Sequence, residues 1–341
     1  MLFFANDYCE GAHENVLTRI CKENLVKRPG YGTDEVSESA KAKIRTLIKQ
    51  KDAGVWFVSG GTQVNLVAAD AILDSYEGIV AVETGHVAVH EAGAIEKTGH
   101  KVLTLPHHEG KMDARDLGNY LKTFCEDENH DHMVRPGMVY LSQPTEYGTL
   151  YGLSELKAIR AVCDKYDVKL FVDGARLAYA LGAKDNDVTL EKLASIAHAF
   201  TIGGTKCGAL FGEALVFSGM KEPSQMLTRI KQHGALLAKG WLVGMQFDEL
   251  LEGNLYTTLG TRADALADKL RAALMKKRYE LYVPNTTNQV LVILEGRETK
   301  TLGKKVRYSF WEALDKNRTV VRFCISWATS EKEVDELIEI L

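Results

Sequence analysis

The stretch MVYLSQPTEYGTLYGLSELKAIRAVCDKYDVKLFVDGARLA, residues 138–178, decides the fold. It opens with the apolar run MVYLSQ (138–143) and closes with VKLFVD (168–173), both short and rich in β-branched or aromatic residues. Between them Leu153, Leu156, Ile159, Val162 and Cys163 recur at the spacing of one helical face. A strand, a helix and a second strand in that order predict parallel pairing across a helical crossover.

The same alternation runs outward. VWFVS (55–59), GIVAVE (78–83), KVLTL (101–105) and AFTIG (199–203) read as further strands, and Leu117, Leu121 and Phe124 mark another amphipathic helix between them. The expected architecture is an α/β domain with a mostly parallel sheet covered on both faces. The front end differs: residues 12–27 and 35–50 read as two helices joined by the turn RPGYGTDE (28–35). The second rests on Val36, Ala40, Ile44, Leu47 and Ile48. After about residue 222 long helices return, and Leu266, Leu270, Ala273 and Leu274 lead towards two more strands, VLVILEG (290–296) and VVRFCISWA (320–328). A final helix opens at Ser330, with Glu333 at capping-box spacing and Val334, Leu337, Ile338 and Leu341 on one face. The chain of 341 residues is longer than single cores usually grow. Residues 1–250 are expected to form a large domain with an N-terminal helical segment, and residues 251–341 a small C-terminal α+β domain.

Composition narrows the partners. Hydrophobic residues make up 45% and charged residues 26%, as in ordinary globular proteins, and the net charge of −4 offers nothing to nucleic acid or an anionic membrane. Six scattered cysteines without a Cys-x-x-Cys pair argue against a disulfide framework or zinc knuckle and fit a reducing compartment. The start MLFFANDYCEGAHEN lacks the basic flank and long apolar stretch of a signal peptide, and no run reaches membrane-span length. A soluble cytoplasmic protein is expected. EDENHDHM (126–133) matches no standard zinc spacing, so no metal is expected.

Three segments carry chemistry. In VSGGTQVNL (58–66) a strand runs into Gly60, Gly61 and Thr62 and then into a helix, a turn that suits a phosphate or serves as a plain connection. In LFVDGARLA (170–178) Asp173 ends a strand, where ligands of open α/β sheets bind, and Arg176 offers a planar fork to a carboxylate. An Asp173–Arg176 ion pair is the structural alternative. In AFTIGGTKCGALFGEAL (199–215) Lys206 stands among Gly203, Gly204 and Gly208, with room for a flat cofactor and a Schiff-base amine. Cys207 beside it reads as a small filler.

Taken together, these motifs resemble the threonine aldolase and aromatic β-eliminating lyase family of fold-type-I pyridoxal phosphate enzymes. The likeness runs from Asn6-Asp7 to about residue 335 and is dense at YGTDE (31–35), SGGTQ (59–63), GHVAVHEAG (85–93), DGARLA (173–178) and GTKCG (204–208). It implies a seven-stranded sheet and pyridoxal 5′-phosphate as cofactor, with Lys206 as the Schiff-base lysine and Asp173 as partner of the pyridine nitrogen. Gly60, Gly61 and Thr62 would form the phosphate cradle, and His86 the stacking imidazole. Asn6, Arg176 and Arg322 would hold the substrate carboxylate. The resemblance further implies a homotetramer with active sites at a dimer interface, where Arg229 or Lys231 of TRIKQHGALLAKGW (228–241) would reach a neighbour's phosphate. Tyr31 and Glu91 could line the same site.

One departure stands out. In YLSQPTEYGTL (140–150) Glu146 replaces the histidine of better-known threonine aldolases. The proton of a substrate β-hydroxyl therefore has three possible acceptors: His86, Glu146 or a water they hold. The implied reaction is retro-aldol cleavage of threonine or allo-threonine to glycine and an aldehyde. The alternatives are β-elimination to ammonia and a keto acid, and a non-catalytic cofactor-binding homologue.

Overall fold

The computed structural model describes residues 1–341. Eight strands precede residue 220: β1 (Leu2–Phe4), β2 (Gly54–Val58), β3 (Glu77–Val82), β4 (Val102–Leu105), β5 (Arg135–Ser142), β6 (Lys169–Asp173), β7 (Ala199–Gly203) and β8 (Glu213–Phe217). Four follow: β9 (Glu280–Leu281), β10 (Gln289–Glu295), β11 (Val306–Ala313) and β12 (Arg318–Cys324). The main sheet has seven strands in the order β2-β8-β7-β6-β5-β3-β4, with only β8 running against its neighbours. The strands β3, β7 and β8 are almost wholly buried, as expected where helices cover both faces.

Alternation along the strands separates two apolar layers. Val139, Leu141, Val172, Phe200, Ile202, Ala214 and Val216 face one layer, which includes Leu156, Ile159 and Cys163 of the crossover helix Leu153–Lys165. Tyr140, Phe171, Ala199, Leu215 and Phe217 face the other, closed by Val64, Val67 and Ala68 of the helix Gly61–Ile72. The helix Glu35–Leu47 starts where Asp34 accepts hydrogen bonds from the N–H groups of Val36 and Ser37. It buries Val36, Ala40 and Ile44 as read from sequence, with Ile48 just beyond it, but turns Leu47 outward. The final helix, Glu331–Ile340, has the expected Ser330–Glu333 capping box.

The second sheet, β1-β11-β12-β10-β9, is mixed: β1 lies parallel to β11 and the rest pair antiparallel. Four strands were not legible: β1 and β9 are only three and two residues long, β11 alternates partly exposed residues, and β8 hides behind a glycine-rich loop. A division near residue 250 is our proposal for the domain boundary, with β1 from the chain's start stitched into the second layer. No helix is long and apolar enough to cross a membrane.

The long helix Leu255–Lys276 ties the two layers together by crossing the short helix Leu177–Gly182 at very close range. A Cβ on Gly260 would lie 2.0 Å from the Ala178 carbonyl oxygen, and one on Gly182 would lie 2.3 Å from the Thr261 nitrogen. Neither contact can relax by a side-chain rotation, because both partners are backbone. Gly260→Ala should therefore cost roughly 1–3 kcal/mol of overpacking strain, more than the ~1 kcal/mol of helix propensity that alanine supplies. Urea denaturation would test this; a variant as stable as the parent would show that the helices can part without loss.

Candidate active site

The parallel strands deliver their side chains to one edge of the sheet. Ser142 ends β5, Asp173 ends β6, Gly203 ends β7, and Val58 and Val82 end β2 and β3 just before Gly60-Gly61 and His86. Gly61, His86, Ser142, Glu146, Asp173, Arg176 and Lys206 consequently line one narrow pocket.

At its floor, the helix Gly61–Ile72 begins without a side-chain cap. The N–H groups of Gly61, Thr62 and Gln63 meet no acceptor, and a Cβ on Gly60 or Gly61 would meet nothing within 4 Å. Ser59 braces the turn by donating its N–H and hydroxyl to Gln63 Oε1, at 3.2 and 2.6 Å. Free donors, open space and the positive end of a helix dipole fit a phosphate monoester.

Asp173 is buried, which alone would push its pKa up. The Tyr140 hydroxyl at 2.6 Å, the nearby His86, the Asn65 amide at 3.1 Å and Lys206 outweigh burial and hold it below the ordinary carboxylate range. The Ala175 N–H adds a bond of 2.8 Å to the other oxygen. Hydrogen bonds to a charged group contribute roughly 1.5–3 kcal/mol each, so three of them can offset a burial penalty of several kcal/mol. A carboxylate held in its charged form fits a protonated pyridine nitrogen. The structural alternative, an Asp173–Arg176 pair, is not formed.

Arg176 instead grips Asp7. Its Nε and one terminal nitrogen donate to the two carboxylate oxygens at 2.7 and 2.9 Å, and Nη1 is left without a partner. Arg322 lies 5.1 Å above the Trp311 ring, donates to Gln289 Oε1 at 2.9 Å, and has a buried Nε with no acceptor. Asn6, next to Asp7, spends its side-chain oxygen on the Tyr8 N–H and the Cys9 thiol.

His86 Nδ1 sits 2.7 Å from Glu91 Oε1, which also accepts from Asn65. A carboxylate there favours the tautomer with its proton on Nδ1 over the one with its proton on Nε2. Glu146 Oε1 accepts from the His86 N–H at 2.9 Å and the Ser142 hydroxyl at 2.7 Å. Burial raises the Glu146 carboxyl pKa although the Ser142 hydroxyl opposes the rise.

Lys206 rides a tight loop. Gly204 and Thr205 both donate to the Gly212 carbonyl, and Tyr179 donates to the Lys206 carbonyl at 2.6 Å. Gly208 has φ +100°, and a Cβ there would press within 2.8 Å of Leu259. Cys207 is fully buried, and burial pushes its thiol up to about 12, so it packs as read and is no nucleophile. Arg229 and Lys231 stand apart: Arg229 binds the Asp70 carbonyl and carboxylate at 2.7 and 3.0 Å, and Lys231 lies 5.0 Å above the Tyr31 ring. Sequence reading missed Tyr140 and Asn65. A hydroxyl two residues before the end of a buried strand, and an asparagine one turn into an apolar helix, were the available signals.

The beta-eliminating lyase family model matches residues 23–296. A low specificity L-threonine aldolase from a Pseudomonas species is 29% identical over 98% of this chain and 95% of its own. The structure of a threonine aldolase from Leishmania major superposes with a TM-score of 0.96 at 40% identity, covering 100% of this chain and 98% of that one. A histidinol-phosphate aminotransferase from Clostridium acetobutylicum shares the fold at a TM-score of 0.73 and 15% identity, over 100% and 98% of the two chains.

Removing Asp7 should strand the Arg176 charge: Asp7→Ala is expected to cost about 3–5 kcal/mol, read by urea denaturation. The guanidinium of Arg176 overcomes burial and holds Asp7 well below its ordinary value of 3.8. Its stabilisation is therefore present above that value and lost as pH falls through the depressed one. An acid limb of stability unchanged in Asp7→Ala would contradict the pairing.

Proposed function

This chain belongs to the beta-eliminating lyase family and its cofactor is pyridoxal 5′-phosphate, and from that premise we propose that it cleaves L-threonine or L-allo-threonine to glycine and acetaldehyde. The observation that carries the reading is the buried Asp173 carboxylate, hydrogen-bonded at both oxygens, in one pocket with Lys206 and beside an uncapped helix end. When bound, pyridoxal phosphate supplies an electron sink for the pair left on Cα when a bond to Cα breaks. Gly60, Gly61 and Thr62 would hold its phosphate, Asp173 its ring nitrogen, His86 one ring face and Lys206 its aldehyde carbon.

The other residues would sort the substrate. Nη1 of Arg176 and Nε of Arg322 are donors without partners, which supports carboxylate binding between them, with Asn6 beside. Fixing the carboxylate fixes which Cα bond stands across the ring plane. For the β-hydroxyl proton, His86 Nε2 is the acceptor we favour, because Glu91 holds the ring through Nδ1 while burial raises the Glu146 carboxyl pKa and favours its protonated form. Glu146 would then hold the His86 backbone in place. Cleavage of Cα–Cβ is favoured over β-elimination by the likeness to the threonine aldolases of Pseudomonas and Leishmania major.

A homotetramer with sites at a dimer interface belongs to the same proposal. Exposed Tyr31 and Leu227 beside the Arg229–Lys231 face support a subunit contact there. Six free cysteines, three of them exposed, support a reducing cytoplasm.

Product analysis of the cofactor-loaded protein with L-threonine, L-allo-threonine and L-serine tests the reaction. Glycine and acetaldehyde are expected; ammonia and a keto acid without glycine would transfer the assignment to β-elimination. Lys206→Ala should lose the borohydride-reducible lysine adduct. His86→Phe retains a stacking face without a proton acceptor and should lower kcat about 10²-fold or more while the cofactor stays bound. Unchanged kcat in that variant, with the loss appearing in Glu146→Gln, would move the base to Glu146.

A further inference from the structure

Arg28, Arg176 and Arg271 each hold a carboxylate, but Arg322 is held by neutral groups. Its Nη1 donates to Gln289 Oε1 at 2.9 Å, and its Nη2 lies 3.5 Å from both the Ala5 carbonyl and the Ser309 hydroxyl. Its buried Nε meets no acceptor. The Trp311 ring centroid lies 5.1 Å from Cζ, within the ~6 Å reach of a cation–π contact. Asp7 feels the Arg322 charge, yet both of its oxygens are bonded to Arg176.

The strand pairing explains why an indole stands there. Ser309 of β11 pairs with Arg322 of β12 and Phe310 with Val321, and then the register shifts so that Glu312 pairs with Val320. Trp311 is the extra residue of this bulge, two positions after Ser309 and so on the face of Arg322. Tyr147, from the loop after β5, meets the indole edge-on at 5.4 Å and 76° and restrains its rotamer. Gln289 brings the pair to the pocket. Its Nε2 donates at 3.2 Å to the carbonyl of Thr145, which stands between the pocket residues Pro144 and Glu146. His90 makes a second link, its ring 6.5 Å from that of Trp311 and 5.7 Å from that of His86.

We propose that Trp311 is a positioning residue for the substrate carboxylate: its ring holds the Arg322 guanidinium beside the pocket without cancelling its charge. An aromatic face attracts a guanidinium through the ring quadrupole, and the charge stays free for a second partner. A carboxylate in the same place would compete with the one the substrate brings. The two arginines thereby differ. Asp7 balances the charge of Arg176, which keeps one directed donor, whereas Arg322 keeps its charge. Trp311 touches no reacting atom in this scheme and acts through Arg322.

This role rests on the carboxylate reading of Arg322 given above, and the test separates the two. Glycine and glycinamide both offer an amine to the cofactor-loaded protein, but glycinamide has no carboxylate. Their dissociation constants are read from the change in the cofactor's visible absorbance. In Trp311→Leu the constant for glycine should rise roughly 10-fold, and Trp311→Phe, which restores an aromatic face, should recover most of the loss. The constant for glycinamide should be the same in all three proteins. Partial unfolding would shrink the absorbance change for both ligands and leave both constants alone. With L-threonine, the same factor should appear in KM, with kcat within about twofold of the parent. Glycine binding in Trp311→Leu as tight as in the parent, or an equal loss for glycinamide, overturns the inference. Arg322→Leu that binds glycine as tightly as the parent would overturn the carboxylate reading itself, and with it the purpose of the indole.

Discussion

A carboxylate kept ionised inside the protein is the constraint on which the rest of the site depends. Asp173 stands at the end of a buried parallel strand, where an isolated charge is costly. The neighbouring strand supplies the Tyr140 hydroxyl, the helix Gly61–Ile72 supplies the Asn65 amide, and the next turn supplies the Ala175 N–H. Asn65 also reaches Glu91, which orients His86, so one network fixes both the charge and the imidazole. Any shift in the register of β5 against β6 would move Tyr140 off Asp173, because the two strands pair residue by residue from Met138–Lys169 to Ser142–Asp173.

A second buried charge joins the ends of the chain to this centre. Asp7 follows β1, which belongs to the smaller sheet, and it holds Arg176 from the loop after β6. Asn288, just before β10, also donates to Asp7 at 3.0 Å. The arginine proposed for substrate belongs to the main layer and is thus aimed by residues of the smaller one. A buried pair of this kind adds little net stability over an apolar substitute, yet losing either partner is costly. Its evident effect is orientation: with two of its nitrogens committed, Arg176 has one direction left in which to donate.

What the sequence disclosed follows the same physics. The main sheet was legible because its parallel strands are apolar runs separated by helices of clear period, as between residues 138 and 178. Gly61, His86, Asp173, Arg176 and Lys206 were legible because each follows a strand end, and the pocket gathers all five. The partners were not. Nothing in NDYCE announces that Asp7 will meet Arg176, 169 positions away, since ion pairing between distant segments leaves no local periodicity. Arg229 was legible as a cation but not as one bound to Asp70 within its own subunit. Strand β8 escaped because GTKCGALFGE reads as loop, and only the antiparallel return between β2 and β7 makes it a strand.

Three buried carboxyls at one sheet edge show how environment divides their chemistry. Asp173 has bonds to both oxygens and stays charged. Glu146 has two donors on one oxygen, and burial wins: its pKa rises. Glu213, with one oxygen bare, is raised to about 8 by burial. Burial is nearly the same for all three, so the donors that meet Asp173 account for its separation from the other two. The hydroxyl of Tyr140 and the amide of Asn65 are what separate them.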